Sequence, residues 1–333
     1  PQAPVEQSSS RKESSVASIA GAVLPGVVTL HVSGPGGQGT GTGFVLDERG
    51  HILTNHHVVE PGDGGDGSGR VQVRFNGGQT AEAEVVGKDA GYDLAVVRVD
   101  GVSGLHPLPL GNSASVRVGD PVVAVGAPYD LEGTVTTGIV SAKERPVTAG
   151  GGTEGGHVSY VNALQTDASI NPGNSGGPLV DAEGRVIGIN SAIRSADESP
   201  YGLPGDAGSG SIGLGFAIPV NQAKRVAEEL INTGRATHPV IGVSLDLDHS
   251  GRGARVAADG HDDPSVVPGG PADRAGIRAG DVISRVDGVR VDDAEELIVR
   301  IRSHRPGDRL SLTVLRDGEA RTMRMTLGSS GGS

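Results

Sequence analysis

Cysteine and tryptophan are absent from this sequence, and aromatic residues make up only 2% of it. The missing thiol excludes disulfides, a cysteine nucleophile and thiolate metal sites, while leaving the redox compartment open. With so few rings, any core must be packed by Val, Ile, Leu and Ala. No run of ~18 apolar residues occurs, so no segment reads as a membrane-spanning helix. No basic-then-apolar secretion signal is present either. The sequence starts at Pro1 rather than methionine, which reads as a processed piece, so a signal or membrane anchor upstream is an expectation. Basic residues are also in deficit, 28 against 40 acidic for a formal charge of -12. That balance, with no basic stripe interleaved with aromatics, excludes nucleic acid as an expected partner.

Glycine is abundant, 56 of 333 residues, and points to a turn-rich, mainly β chain. The length fits about two domains. Residues 1–15 carry too little apolar side chain to fold alone and read as a flexible lead-in. From Val16 to Ile218, short Val/Ile-rich runs alternate with glycine-bearing turns. The predicted strands are Val27–Val32, Gly43–Leu46, His51–Thr54, Val71–Phe75, Ala83–Val86, Leu94–Val99, Pro121–Val125, Thr134–Val140, Tyr160–Gln165, Pro178–Val180, Arg185–Asn190 and Gly213–Ile218. That number suffices for two small barrels. Gly62–Gly69, Gly150–Gly156 and Ser199–Ser211 read as surface loops between them.

After Pro219 the apolar period becomes helical, with Ala223, Val226, Ala227, Leu230 and Ile231 on one face, Asn221 as the expected N-cap and Gly234 as the stop. The first domain thus spans 16–234, residues 235–238 are a linker, a smaller module spans 239–328, and 329–333 form a tail. The module's expected strands are Val240–Leu245, Ala254–Ala258, Asp281–Val286, Leu310–Leu315 and Ala320–Leu327. They surround a helix from Asp292 or Asp293 to Ser303, and Asp317-Gly318 turns the last hairpin.

The chemistry concentrates at Asn171-Pro172-Gly173-Asn174-Ser175-Gly176-Gly177-Pro178, a serine among glycines at a turn before an apolar strand. A substrate carbonyl must come within about 3 Å of an attacking oxygen while backbone N–H groups face the developing oxyanion, and bulky side chains would block both. A serine hydroxyl is a weak nucleophile at neutral pH, so the reading requires a histidine base and a group that orients it. Thr54-Asn55-His56-His57 ends one predicted strand, and Tyr92-Asp93-Leu94 begins another. The chain order is His, Asp, Ser.

Leu53-Thr54-Asn55-His56-His57-Val58, Asp93-Leu94-Ala95-Val96-Val97 and Gly173 to Pro178 together resemble the motifs of the HtrA (DegP and DegQ) proteases. Gly39 to Phe44 and Gly213 to Pro219 also sit where that family has matching segments. The resemblance implies a trypsin-like double β-barrel followed by a small α+β PDZ domain. It further implies His57 as general base, Asp93 as its orienting carboxylate and Ser175 as nucleophile. His56, where the family commonly has asparagine, is the rival base. Backbone N–H groups of Gly173, Asn174 and Ser175 would form the oxyanion hole. Ser169, Ile170, Ser191, Ala192 and Ile193 would line the primary pocket, favouring cleavage after small or medium aliphatic residues; the alternative is that these apolar residues are barrel core.

The string Gly213-Leu214-Gly215-Phe216 imitates a PDZ loop but precedes the helix that closes the first domain, so it is assigned to the barrel. The PDZ carboxylate loop is expected at Ile241, Gly242 and Val243, where a peptide C-terminus would be held by backbone N–H groups. Pro271-Ala272-Asp273-Arg274-Ala275-Gly276 and Gly280-Asp281-Val282-Ile283 resemble further PDZ segments. Gly37 to Gly41 has phosphate-loop spacing without the following helix that reading needs. Asp246, Asp248, His249, His261, Asp262 and Asp263 read as a solvated loop rather than a metal site.

No cofactor is expected. The family implies a serine endopeptidase that cuts unfolded or misfolded polypeptides without ATP, outside the cytoplasm in the periplasm or at the cell surface. A proteolytically silent chaperone or PDZ scaffold is the alternative. Relatives assemble as homotrimers through an aromatic-bearing N-terminal segment; Val16 to Val32 here carries no aromatic.

Overall fold

The computed structural model describes residues 15–62, 69–127, 133–149, 158–192, 213–260 and 264–331. Helix α1 (Val16–Val23) is the first element among the described residues, with the Ser15 hydroxyl accepting the Ser18 N–H at 3.2 Å. The sequence pattern assigned no element to this stretch. The Ser15 cap and the buried pair Ile19 and Val23, one helical turn apart, explain the helix.

Two closed six-stranded antiparallel barrels follow. The first contains β1 (Val27–Gly34), β2 (Gly37–Val45), β3 (His51–Thr54), β4 (Arg70–Phe75), β5 (Thr80–Asp89) and β6 (Leu94–Val99), ordered β1-β2-β3-β6-β5-β4. Helix α2 (His56–Val59) is a single turn after β3. The second contains β7 (Pro121–Gly126), β8 (Thr134–Ala149), β9 (Ser159–Thr166), β10 (Pro178–Val180), β11 (Val186–Ser191) and β12 (Gly215–Pro219), ordered β10-β11-β12-β9-β8-β7. The string Gly215-Phe216 thus belongs to barrel strand β12.

Strand β4 alternates exposed Arg70 and Gln72 with buried Val71 and Val73, as a half-solvated strand should. Leu30, Val45, Ile52, Val73 and Val97 fill the first barrel, and Val122, Val140, Leu179, Ile187 and Ala217 the second. A third cluster, with Phe44, Leu53, Tyr92, Leu94, Val125 and Ile189, welds the barrels together and continues onto α3 (Val220–Thr233). That helix buries Val220, Ala223, Val226, Ala227 and Leu230 and stops at Gly234, whose φ of 73° is left-handed. Cutting fully buried Leu230 to alanine costs about 2–5 kcal/mol. Asn221 is not the N-cap: the cap position is Pro219, and Asn221 lies inside the first turn. Its side chain instead holds the 112–113 loop, donating to Asn112 Oδ1 at 2.7 Å and accepting from Ser113 N at 3.3 Å.

The second domain begins and ends in one small sheet, in which β13 (Thr237–Val240) pairs with the C-terminal strand β19 (Gly328–Gly331). Thus Thr237 and His238, expected in the linker, and Ser329 to Gly331, expected in the tail, are paired backbone. The expected strand Val240–Leu245 is also corrected. Beyond Val240 this stretch makes only isolated bridges, Val243 with Val266 and Leu245 with Val256, because Gly242 at φ 76° turns the chain.

A larger sheet holds β14 (Ala254–Arg255), β15 (Val282–Val286), β16 (Val289–Arg290), β17 (Arg309–Arg316) and β18 (Glu319–Thr326). Asp317 (φ 52°) and Gly318 (φ 81°) turn its last hairpin. Helix α4 is Pro271–Ala275 and α5 is Ala294–Arg302; Asp293 caps α5 by accepting Glu296 N at 2.7 Å.

The domains meet through polar contacts. Asp89 at the end of β5 accepts from His238 Nε2 at 2.8 Å, and the His238 ring stacks on Tyr92 with centroids 4.5 Å apart. The Arg225 guanidinium lies over the same tyrosine, 5.1 Å from its centroid. Arg302 at the end of α5 donates to the Gly91 carbonyl at 3.0 Å and lies 4.9 Å over Tyr160.

Candidate active site

Strand β3 delivers Asn55 and His57 to the groove between the barrels, and the turn before β6 delivers Asp93. Asn55 occupies the N-cap of α2 without capping it. The Asp93 carboxylate caps the turn instead, its Oδ1 accepting the His57 backbone N–H at 3.1 Å. The same carboxylate meets His57 Nδ1 at 2.9 and 3.0 Å through its two oxygens. One acid therefore fixes both the backbone and the ring of His57. The imidazole that meets Asp93 is that of His57 and not of His56, its rival in the sequence.

Asp93 is 4% exposed and sits at φ 54°, a left-handed conformation that a non-glycine residue adopts at a cost. It is held there by Asn55 Nδ2, which donates to the Asp93 carbonyl at 2.9 Å, and by its own N–H bonded to Ala90 O at 3.2 Å. Ser191 Oγ donates to Asp93 Oδ2 at 3.0 Å. Burial works to lower the His57 pKa, but the charge and hydrogen bond of Asp93, with a smaller contribution from Glu60, hold it above the ordinary histidine value.

The serine loop is wedged between the barrels. Asn174 N bonds Asn171 O at 3.0 Å, with Pro172 second and Gly173 (φ 99°) third, the residue order of a type II turn. Ser175 O then accepts Thr42 N at 2.9 Å, Gly176 N bonds Asn190 O at 2.9 Å, and Thr42 Oγ1 donates to Gly173 O at 2.6 Å. Gly176 is required on two counts: its φ is 84°, and a Cβ there would lie 2.0 Å from Thr42 O. Ser175 is 5% exposed, and its Oγ accepts Ala192 N–H at 3.1 Å. Among the described residues, no hydrogen bond joins that oxygen to His57.

The other expected site residues are divided. Ser169 O accepts from Asn174 Nδ2 at 3.3 Å and from Thr136 Oγ1 at 3.0 Å, which ties this strand end to the serine loop. Ile170 is 6% exposed and packs in the second-barrel cluster, with Ala192 against that cluster. Ser191, assigned to the pocket from the sequence, directs its hydroxyl at Asp93 instead. Ile193 lies outside the described residues, as do most of the glycine-rich loops and residues 261–263. Asn55 was missed as a site residue, because nothing in a sequence reveals that a side chain will reach a carbonyl 38 positions away.

In the second domain, Ile241 is buried and its carbonyl accepts Ala272 N at 2.9 Å, while Gly242 O accepts Val267 N at 3.0 Å. The loop therefore rests on α4 and the segment before it. No group of three or more His, Asp or Glu side chains able to hold a metal occurs among the described residues.

Comparison with known proteins matches residues 41–189 to the trypsin-like peptidase domain family and residues 239–327 to the PDZ domain family. The solved structure of the HtrA-type protease AlgW with tripeptide superposes with a TM-score of 0.67 at 32% identity, covering 95% of this chain and 97% of that one. The chain belongs to the HtrA-type serine proteases. Serine protease PepD of Mycobacterium tuberculosis is 45% identical over 322 residues, 95% of this HtrA-type chain and 66% of PepD. A probable periplasmic serine endoprotease, DegP-like, from Halomonas elongata is 39% identical over 309 residues, 88% of this chain and 59% of that protein. The chain therefore spans between about half and two thirds of the length of these curated relatives. Mainly β architecture, a trypsin-like double barrel and one C-terminal PDZ domain agree with the expectation from sequence.

Proposed function

We propose that this chain is a serine endopeptidase that hydrolyses unfolded or misfolded polypeptides through an acyl-enzyme, in protein quality control. The observation that carries the reading is the doubly hydrogen-bonded His57–Asp93 pair facing a glycine-built serine loop. Ser175 Oγ attacks the peptide carbonyl as His57 Nε2 takes its proton. The imidazolium then gives that proton to the leaving amine, and water repeats the sequence on the ester. Asp93 keeps the His57 proton on Nδ1 and stabilises the cation. In the structure Ser175 Oγ is held by Ala192 N–H, so the side chain turns toward His57 before attack. Backbone N–H groups of Gly173 and Ser175 stabilise the oxyanion, at roughly 3–4 kcal/mol per donor, whereas the Asn174 N–H, expected to join them, is bonded to Asn171 O at 3.0 Å.

Ser169, Ile170 and Ala192 bound a small primary pocket suited to aliphatic side chains, and the Ile241-Gly242-Val243 loop receives peptide C-termini. The periplasmic naming of DegP-like relatives supports an extracytoplasmic location. A homotrimer is the proposed assembly, to be measured by light scattering. The activity is tested on casein: cleavage by the parent chain must vanish in Ser175→Ala and in His57→Ala, and cleavage by the Ser175 variant overturns the proposal. Labelling of Ser175 by a fluorophosphonate separates this reading from a silent chaperone.

A further inference from the structure

The turn that carries Asp93 is gripped from the second domain. Strands β5 and β6 close at the pair Asp89 and Leu94, which leaves Ala90 to Asp93 as the turn between them. On the barrel side Asp93 is held by Asn55, Ser191 and Ala90. The opposite side of the turn, made by the Asp89 carboxylate, the Gly91 carbonyl and the Tyr92 ring, meets the second domain at three points. His238 Nε2 of β13 donates to Asp89 Oδ2 at 2.8 Å. Arg302, the last residue of α5, donates from Nη1 to Gly91 O at 3.0 Å. The His238 ring stacks on Tyr92 at an interplanar angle of 15°, and the Tyr92 hydroxyl donates to Arg302 O at 3.4 Å. Tyr92, Asp89 and His238 are 0%, 2% and 7% exposed, so these contacts are sealed from water. The fit has no slack, because a Cβ at Gly91 would lie 2.7 Å from both Arg302 Nη1 and His238 Cε1.

Only Tyr92 separates Gly91 from Asp93. Tyr92 N bonds Asp89 Oδ1 at 2.9 Å and Asp93 N bonds Ala90 O at 3.2 Å, so a shift of Gly91 is passed along a closed turn to Asp93. That residue sits at φ 54°, a conformation that persists only where the surroundings over-determine it. The barrel's own hold on the Gly91 carbonyl is the N–H of Tyr160 at 3.1 Å. The Tyr160 ring in turn lies 4.9 Å beneath the Arg302 guanidinium, so one arginine braces both the carbonyl and its other donor.

We infer that Arg302 of the second domain is a positioning residue for hydrolysis: by holding the Gly91 carbonyl it sets the turn that aims Asp93 at His57. The inference rests on the reading of His57 and Asp93 as base and orienting acid. Its sign separates it from a plain effect of charge. Burial lowers the His57 pKa and Asp93 is the main influence that raises it. Removing a nearby cation would push that pKa further up, whereas drawing Asp93 away from the ring lets it fall.

The test compares the full chain with Arg302→Met, which keeps the aliphatic stem and loses the donors, and with Arg302→Lys, which keeps a donor and the charge. Thr148→Ala is the control, since Thr148 Oγ1 reaches Glu295 Oε2 of α5 at 3.5 Å, a contact between the domains away from the turn. The titration of His57 is followed by NMR in a Ser175→Ala background, a readout that needs no turnover, and kcat and KM are measured on a fluorogenic peptide with Ser175 present. Arg302→Met should lower the His57 pKa by at least about half a pH unit. Its kcat should fall at least about tenfold, with KM within about threefold. Arg302→Lys should recover most of both losses, and Thr148→Ala should match the parent. Gly91→Ala, whose methyl wedges Arg302 and His238 away with every polar group retained, should reproduce Arg302→Met and carries the test if that variant does not fold. An unchanged or raised His57 pKa in the folded variants overturns the inference, even where kcat falls. An equal drop in Thr148→Ala also overturns it, because the effect then belongs to the domain seam at large. A parent chain that cleaves nothing while the His57 pKa falls in Arg302→Met overturns the protease reading and leaves the placement of Asp93 by Arg302 supported.

Discussion

Replacing Asp93 with asparagine tests the proposed chemistry most directly. The Oδ1 position accepts the His57 backbone N–H at 3.1 Å and so takes the amide oxygen, which places the NH₂ at the Oδ2 position, 3.0 Å from His57 Nδ1. The ring must then present a lone pair at Nδ1 and carry its proton on Nε2, the nitrogen that has to accept the proton of Ser175. The charge that stabilises the imidazolium is lost in the same step. In the trypsin triad the corresponding change lowers kcat about 10⁴-fold, equivalent to about 5.5 kcal/mol at 1.36 kcal/mol per decade. The same loss is expected here, with KM changed by less than about threefold, since Asp93 is 4% exposed and touches no substrate. A fluorogenic peptide assay gives both constants, and thermal unfolding confirms that the variant is folded. A folded Asp93→Asn enzyme retaining more than about a tenth of parental kcat would refute the assignment.

Because the folded-state pKa of His57 is raised and the neutral ring is the base, the acid limb of kcat/KM should fall at a pH above the ordinary histidine value of about 6.5. Glu60→Gln removes one raising influence and should move that limb toward lower pH; a parental midpoint at or below 6.5 contradicts the reasoning. Gly176→Ala should cost about 1–3 kcal/mol for its φ and about as much again for the clash with Thr42 O. Denaturant titration reads that loss, and activity should vanish with it. His238→Ala leaves Asp89 buried without its partner and removes the ring on Tyr92, a loss of about 3 kcal/mol in chemical unfolding. Burial opposes ionisation of Asp89, but the His238 and Tyr92 hydrogen bonds hold its pKa below the ordinary carboxylate value. Its contribution should therefore be complete above about pH 4 and fade as pH falls through the lowered value, and the variant should lack that acid-sensitive phase.

The barrel strands were legible because alternating or continuous Val, Ile and Leu runs dictate which faces are buried. His51–Thr54, Leu94–Val99 and Pro178–Val180 coincide with the strands observed. Strands β2 and β8 run longer than their apolar stretches, since Gly37 to Thr42 and Ser141 to Ala149 are paired by backbone hydrogen bonds that hydrophobicity does not report. The same reason hid β19: Gly-Ser-Ser-Gly has no strand propensity and is ordered by its partner Thr237–Val240. His57 and Asp93 meet as their motifs implied, whereas the bond from Ser191 to Asp93 was not legible, because a strand's period gives its face but not which group across the groove its hydroxyl will reach. Asn221 shows the limit of cap rules, since a competing acceptor and donor in the 112–113 loop took its side chain.

The clasp between β13 and β19 has a practical bearing on how this protein can be handled. Thr237 is opposite Gly331, and Thr237 is also bound by Glu229 of α3 at 2.6 Å, so the far end of the second domain is stitched back to the hinge from which that domain departs. A tag or fusion partner added at the C-terminal side emerges beside the domain seam rather than at a remote tip. Deleting the last strand would uncover the edge of β13 and loosen the register between the two domains. C-terminal modifications are therefore perturbations of the interdomain joint, and labels intended to be silent belong on an exposed turn such as Asn76 to Gln79.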